Sequence, residues 1–234
     1  MGNLNQKWFN LCFVIDKSGS MYGSREDVIG GFIKTMDEQK SKTDFKVTVS
    51  LYTFNDTVSE EYLGIDINEV KDLEYNPNGL TAMNDGIGTA IDKVGKWLHG
   101  LDEKGEELPG KTLFVVMTDG MENASKLYTL AQIKEKIKEQ TEKYSWEFIY
   151  LGTDITTTKA ADDLGFKHKA FGDRSTFAEN YNIINNAANA YYCCALNDCS
   201  LEESTAALNC SITTDATNRT KSYEKKLGRK LTND

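Results

Sequence analysis

The stretch Leu11-Cys12-Phe13-Val14-Ile15-Asp16-Lys17-Ser18-Gly19-Ser20-Met21 constrains this chain more than any other, because an apolar run ends there in an Asp and two Ser at alternate positions. A short apolar run bounded by polar residues reads as a buried strand. The oxygens at 16, 18 and 20 then lie in the loop at the strand's carboxyl end, where open α/β sheets place their ligands. Carboxylate and hydroxyl oxygens are hard donors, suited to Mg²⁺ or Mn²⁺ rather than to a thiophilic metal.

Asp-x-Ser-x-Ser is a common pattern by itself, and its context decides its meaning. A second apolar run, Leu113-Phe114-Val115-Val116-Met117, ends in Thr118-Asp119-Gly120 and brings another carboxylate to the same sheet edge. Between the two lies Asn78-Gly79-Leu80-Thr81-Ala82-Met83-Asn84-Asp85, whose Thr81 opens an amphipathic helix. In order and spacing, Asp16, Ser18, Ser20, Thr81 and Asp119 resemble the metal-ion-dependent adhesion site of von Willebrand factor type A domains. The resemblance covers residues 9 to about 171. It implies a bound Mg²⁺, with Mn²⁺ as the alternative, coordinated by the hydroxyls of Ser18, Ser20 and Thr81. It also implies that Asp16 and Asp119 act largely through bound water. The ion then stays electrophilic toward a carboxylate, and an Asp or Glu of a partner protein completes its shell. In the family, a change of metal coordination can be linked to movement of a helix.

Other readings attach to some of these residues. Asp16, Ser18 and Ser20 are also ordinary turn formers, and Thr81 can cap its helix as well as ligate. Asp85 either orients Thr81 from behind or is an exposed first-turn carboxylate favoured by the helix dipole. Glu122 and Asn123 lie on the same rim and read as loop residues.

The remaining elements follow from periodicity. Ser24 caps a helix over residues 25 to about 41, with Val28, Ile29, Phe32, Ile33 and Met36 at helical spacing. Residues 45–54 and 58–64 form an antiparallel edge pair around Asn55-Asp56. Met83 to Leu98 is a second amphipathic helix, and a capping box at Thr129 opens a lysine-rich helix to about Lys143. Trp146 to Leu151 is a buried strand, Asp154 caps a short helix stopping at Gly165, and Lys167 to Phe171 is the last strand. This alternation specifies a doubly wound, mainly parallel, Rossmann-like α/β sheet with an antiparallel edge strand and helices on both faces. A C-terminal helical extension follows over 172–198. A capping box at Thr176 opens it, and Phe177, Tyr181, Ile184, Ala188, Tyr191 and Ala195 form its apolar stripe. Its target is the sheet of the same domain, with a partner subunit as the alternative. Residues 199–234 read as a short helix from Ser200 followed by a flexible basic tail.

Composition narrows the function. A net charge of −9 disfavours nucleic acid and anionic membranes, and nothing approaches a membrane span. The start carries no basic segment followed by an apolar core, so a cytoplasmic setting is the expectation. Trp146–Gly152 and Thr118–Ser125 are similar to a group of bacterial and bacteriophage members, which implies a bacterial or phage-infected host cell. Five cysteines, four of them in the last quarter, contain no Cys-x-x-Cys pair and read as free, partly buried thiols. His99 and His168 fall outside the site by this topology.

The expected function is therefore a metal-dependent protein-binding module that is not an enzyme. An adaptor role in a larger assembly, such as one with a ring ATPase, is a fold-level analogy. The alternative is a Mg²⁺-dependent phosphohydrolase or phosphotransferase using Asp16. That chemistry wants a second Asp two positions on, where this chain has Ser18, and neither a phosphate-gripping Gly-rich loop nor a nucleophile–base pair is present.

Overall fold

A computed structural model describes residues 2–152, 155–171 and 180–227. Its centre is β1 (Leu4–Asp16), an apolar strand buried on both sides from Trp8 onward. β1 pairs in parallel with β2 (Lys46–Phe54) on one side and with β4 (Leu108–Met117) on the other. β3 (Val58–Asp66) adds antiparallel to β2, and β5 (Glu147–Gly152) and β6 (His168–Phe171) extend the other half in parallel. The sheet order is β3-β2-β1-β4-β5-β6.

Alternation along β1 divides the core in two, since successive side chains of a strand point to opposite faces. Phe9, Leu11, Phe13 and Ile15 pack with α1 (Arg25–Lys40), α5 (Asn180–Leu196) and α6 (Leu201–Leu227). Cys12 and Val14 pack with α2 (Met83–Glu103), α3 (Leu130–Tyr144) and α4 (Ile155–Leu164). The chain leaves β1 through α1 on one face and enters β4 through α2 on the other. The crevice at the carboxyl ends of β1 and β4 is thus the topological switch point of the sheet, where such folds bind ligands. Ile15 is opposite Met117, so Asp16 and Thr118 leave the sheet side by side.

The expected strands and helices are present, and several run longer than their apolar cores. β1 begins at Leu4 and β4 at Leu108, where Leu4 and Asn5 pair with Leu108 and Pro109 across a bulge. The stripe on α5 packs on the sheet of its own chain: Tyr181, Ile184, Ala188 and Tyr191 are buried, and the Tyr191 hydroxyl donates to the Gln6 carbonyl at 3.0 Å. The caps read at Asp154 and Thr176, with Phe177, lie outside the described residues.

The C-terminal reading needs correction. Ser200 does open a helix, through a capping box in which its hydroxyl accepts from the Glu203 N–H and its own N–H donates to Glu203. That helix is not short. α6 is 27 residues long and covers most of the segment read as a tail. One buried apolar residue per turn, Leu208, Ile212 and Ala216, holds it to the core. Asn209 adds a hydrogen bond of 3.0 Å to Glu147 Oε1 of β5, which also faces the buried Lys111 ammonium at 3.3 Å. So narrow a stripe in a Thr-, Ser- and Asn-rich segment reads as polar chain.

Candidate metal centre

Asp16 ends β1 fully buried, and both its carboxylate oxygens accept hydrogen bonds. Oδ1 accepts from the Ser18 N–H at 2.7 Å and Oδ2 from the Thr118 hydroxyl at 2.6 Å. Thr118 is itself oriented by the Gly120 N–H, which donates to its hydroxyl oxygen at 3.1 Å. Removal from water disfavours the charged form of a carboxyl. Burial accordingly pushes Asp16 up to about 6, the bonds from Thr118 and Ser18 hold it down, and the Asp119 charge raises it further.

The other predicted oxygens gather around it. Ser18 Oγ lies 3.1 Å from Ser20 Oγ, and the Ser20 hydroxyl donates to Asp119 Oδ1 at 2.5 Å. Thr81 arrives from a third loop. A carbon added to Gly120 as a Cβ would sit 3.3 Å from Thr81 Oγ1, 3.5 Å from Ser20 Oγ and 3.7 Å from Asp16 Oδ2. Three of the five residues thus bring an oxygen near one point beside Asp119. Adjacent oxygens in an octahedral shell with Mg²⁺-length bonds are about 3 Å apart, and the Ser18–Ser20 separation has that value. Among the described residues no group of three or more His, Cys, Asp or Glu could hold a metal. The candidate residues offer two carboxylates and three hydroxyls, an all-oxygen set that fits a hard cation.

Each loop is also held from behind by groups outside this set. The first is tied by the Lys17 N–H to Phe54 O at 2.7 Å, by Asn78 N–H to Lys17 O at 2.8 Å and by Gly19 N–H to Gly79 O at 3.0 Å. Gly79 has φ +77°, and a Cβ there would collide with the Asp56 carboxylate, so this strap requires glycine. The buried Tyr75 donates its hydroxyl to the Asp16 carbonyl, and Arg25 Nε donates to Tyr75 O at 2.8 Å.

The second and third loops are laced together. Asn123 clamps the Thr81 backbone twice: its side-chain oxygen accepts the Thr81 N–H at 2.9 Å and its own N–H donates to Thr81 O at 3.0 Å. Glu122 accepts from the N–H groups of Asn84, Ala124 and Ser125 at 2.7–2.9 Å. Asp85 accepts from the N–H groups of Lys126, Leu127 and Tyr128 at 2.8–3.0 Å. Asp85 is thus buried and engaged with residues 126–128, which removes the reading of it as an exposed first-turn carboxylate. Glu122 and Asn123, read as loop residues on the rim, are the ones that bind the second loop to the third; Tyr75 and the role of Thr118 went unread because single Tyr and Thr residues in loops carry no pattern, although Thr118 adjoins Asp119. His99 pairs with Glu103 on α2 at 3.4 Å and His168 faces Glu147 at 3.7 Å, both away from the centre.

Exposed residues stand next to the candidate ligands in the chain. Ser20 is exposed. Tyr22, Leu80 and Met121 are 74%, 53% and 56% exposed, and each stands within two residues of a candidate ligand.

A family model described as the von Willebrand factor type A domain matches residues 10–189. The chain belongs to that family. The match includes most of α5. Domains of this type are generally protein-interaction modules and typically not enzymes. Among solved structures, the VWA domain of the type V pili tip protein Mfa5 from Porphyromonas gingivalis superposes with a TM-score of 0.55 at 10% identity, covering 77% of this chain and 95% of that one. A von Willebrand factor type A protein from Catenulispora acidiphila gives 0.53 at 14% identity, covering 81% and 43%. Proximal thread matrix protein 1 from the mussel byssus gives 0.51 at 14% identity, covering 77% and 46%. The chain thus spans less than half the length of the last two. At these identities the likeness is one of fold. No curated protein matches the sequence, and among the described residues no helix is long and apolar enough to cross a membrane.

Proposed function

We propose that this VWA domain is a metal-dependent protein-binding module. Ser18, Ser20 and Thr81 would ligate Mg²⁺ or Mn²⁺ through their hydroxyls, while Asp16 and Asp119 hold its charge from the second rank. The observation that carries this reading is the convergence of Asp16, Ser20 and Thr81 oxygens on one point beside Gly120. When bound, the cation supplies an electrophilic position for an acidic side chain of a partner. The chain's own residues do the rest. Asp16 stays back from the mouth, held by Ser18 and Thr118. Asn123 fixes Thr81 through its backbone, leaving the hydroxyl uncommitted to that clamp. Tyr22, Leu80 and Met121 would bury apolar surface flanking the partner's Asp or Glu, and area removed from water contributes at about 25 cal/mol per Å². No observation favours the hydrolase reading.

The test is calorimetric titration of Mg²⁺ and Mn²⁺ into chelator-treated protein, repeated with Thr81→Ala. One saturable site, lost or weakened about 10–100-fold in the variant, is the expected result. Peptides presenting an Asp or Glu between apolar residues should then bind only with metal present. Absence of uptake of either cation by the folded wild type would overturn the reading.

A further inference from the structure

The corner between α5 and α6 brings two cysteines together. Asp198 adopts φ +55°, the left-handed conformation that ends helices. The Cys199 N–H donates back to the Cys194 carbonyl at 3.1 Å. This is the six-to-one bond of a Schellman motif, which sets the third-from-last helical residue against the residue following the left-handed one. In most helices that contact is a pair of apolar side chains. Here those two positions are Cys194 and Cys199, which the backbone bond between them holds at the same corner. Both are partly accessible, whereas Cys12 is buried.

The corner is also rigid on both flanks. Gln6 Nε2 of β1 donates to Cys199 O and to Ser204 Oγ, each at 2.8 Å, and the Ser200–Glu203 capping box starts α6. The pair is therefore held at a turn that fixes its backbone, and a disulfide needs close, suitably directed cysteines.

We propose that Cys194 and Cys199 form an oxidisable dithiol whose disulfide closes the α5–α6 corner, with a hydroperoxide as the oxidant class. One thiolate attacks the peroxide oxygen and becomes a sulfenic acid, releasing hydroxide that is protonated to water. The second thiolate displaces the sulfenic oxygen as another water and forms the S–S bond. Two thiols lose two electrons and two protons, and one hydrogen peroxide becomes two waters. Cys193 is the adjacent residue on α5, turned about 100° away around the helix, and stands outside the motif.

The full chain is treated with hydrogen peroxide, its remaining thiols are alkylated, and it is cleaved before Asp198 and after Glu203, which separates Cys194, Cys199 and Cys210. The expected product is the peptide carrying Cys193 and Cys194 joined to the one carrying Cys199, with loss of two hydrogens and two fewer alkylated thiols. Cys193→Ser keeps this product; Cys194→Ser and Cys199→Ser each abolish it. Dithiothreitol restores all five thiols. Pairing through Cys193 or Cys210, crosslinked dimers in place of the internal link, or survival of both free thiols while Cys193 is oxidised would each overturn the proposal.

Discussion

Asp16→Asn separates the cost of the centre from its use. In the absence of metal, burial raises the Asp16 carboxyl from an ordinary 3.8 to about 6. The folded chain therefore binds a proton more tightly at this site than the unfolded chain does. The associated stability is complete below pH 4 and is lost as pH rises through 6, so at pH 7.5 the ionised, buried carboxylate costs up to about 3 kcal/mol. Asparagine removes the charge and keeps the shape. Its oxygen can accept the Ser18 N–H as Asp16 Oδ1 does, and its amide can donate to Thr118. The Thr118 hydroxyl, released from Asp16, has the Gly120 carbonyl 3.3 Å away to receive its proton.

The expectation is an inversion. In chelator, urea unfolding should show the variant near wild type at pH 4.5 and more stable at pH 7.5, by no more than about 3 kcal/mol. With Mg²⁺ at a hundred times its dissociation constant, wild type should gain about 2.7 kcal/mol and the variant little or nothing. Equal destabilisation of Asp16→Asn at both pH values would refute the charge argument. A metal response retained in full by the variant would refute the assignment of Asp16 to the centre.

Three further outcomes test the parts around it. Gly120→Ala puts a methyl 3.3 Å from Thr81 Oγ1; metal-free stability should hold while Mg²⁺ affinity, read by calorimetry, falls about 10–100-fold. Asp85→Ala strands three N–H groups of residues 126–128 and should cost about 2–4 kcal/mol in urea unfolding, with new proteolytic cleavage between residues 120 and 128. Leu208→Ala removes a fully buried side chain of α6 and should cost about 2–5 kcal/mol; a change under 0.5 kcal/mol would mean that α6 does not pack on the core.

The sheet and the five candidate residues were legible because both are written locally. Apolar runs such as 11–15 and 113–117 mark strands by themselves, and a ligand at a strand's carboxyl end follows from the strand. What escaped is written across distance. The Tyr75 hydroxyl reaches a carbonyl 59 residues away, and Asn123 reaches Thr81 over 42; neither residue type announces its partner. α6 escaped for a different reason. Its stripe of Leu208, Ile212 and Ala216 is one residue wide, too narrow to stand out as a helical period, and its docking relies on Asn209 meeting Glu147. Similarly, Leu4–Lys7 lengthens β1 through the pairing of Leu4 and Asn5 and through distant side-chain bonds from Asn5 and Gln6, with side chains that alternate no clear apolar face.

The residues that escaped also account for why the centre can be open. A cluster of two acids and three hydroxyls in a crevice lacks packing of its own, and a loop that must leave oxygens unsatisfied is drawn from the less stable parts of a fold. Here the support comes from outside the ring of oxygens: Tyr75 and the Gly79 strap under the first loop, Asn123 on the Thr81 backbone, Glu122 and Asp85 across the third. These groups fix the loops through backbone hydrogen bonds, so that the candidate ligands do not carry that task alone. A ligand set positioned in this way loses little conformational freedom on meeting a cation. Weakening Asp85 or Asn123 should therefore reduce metal affinity without touching any predicted ligand, whereas the oxygens themselves can be altered with the loops still in place.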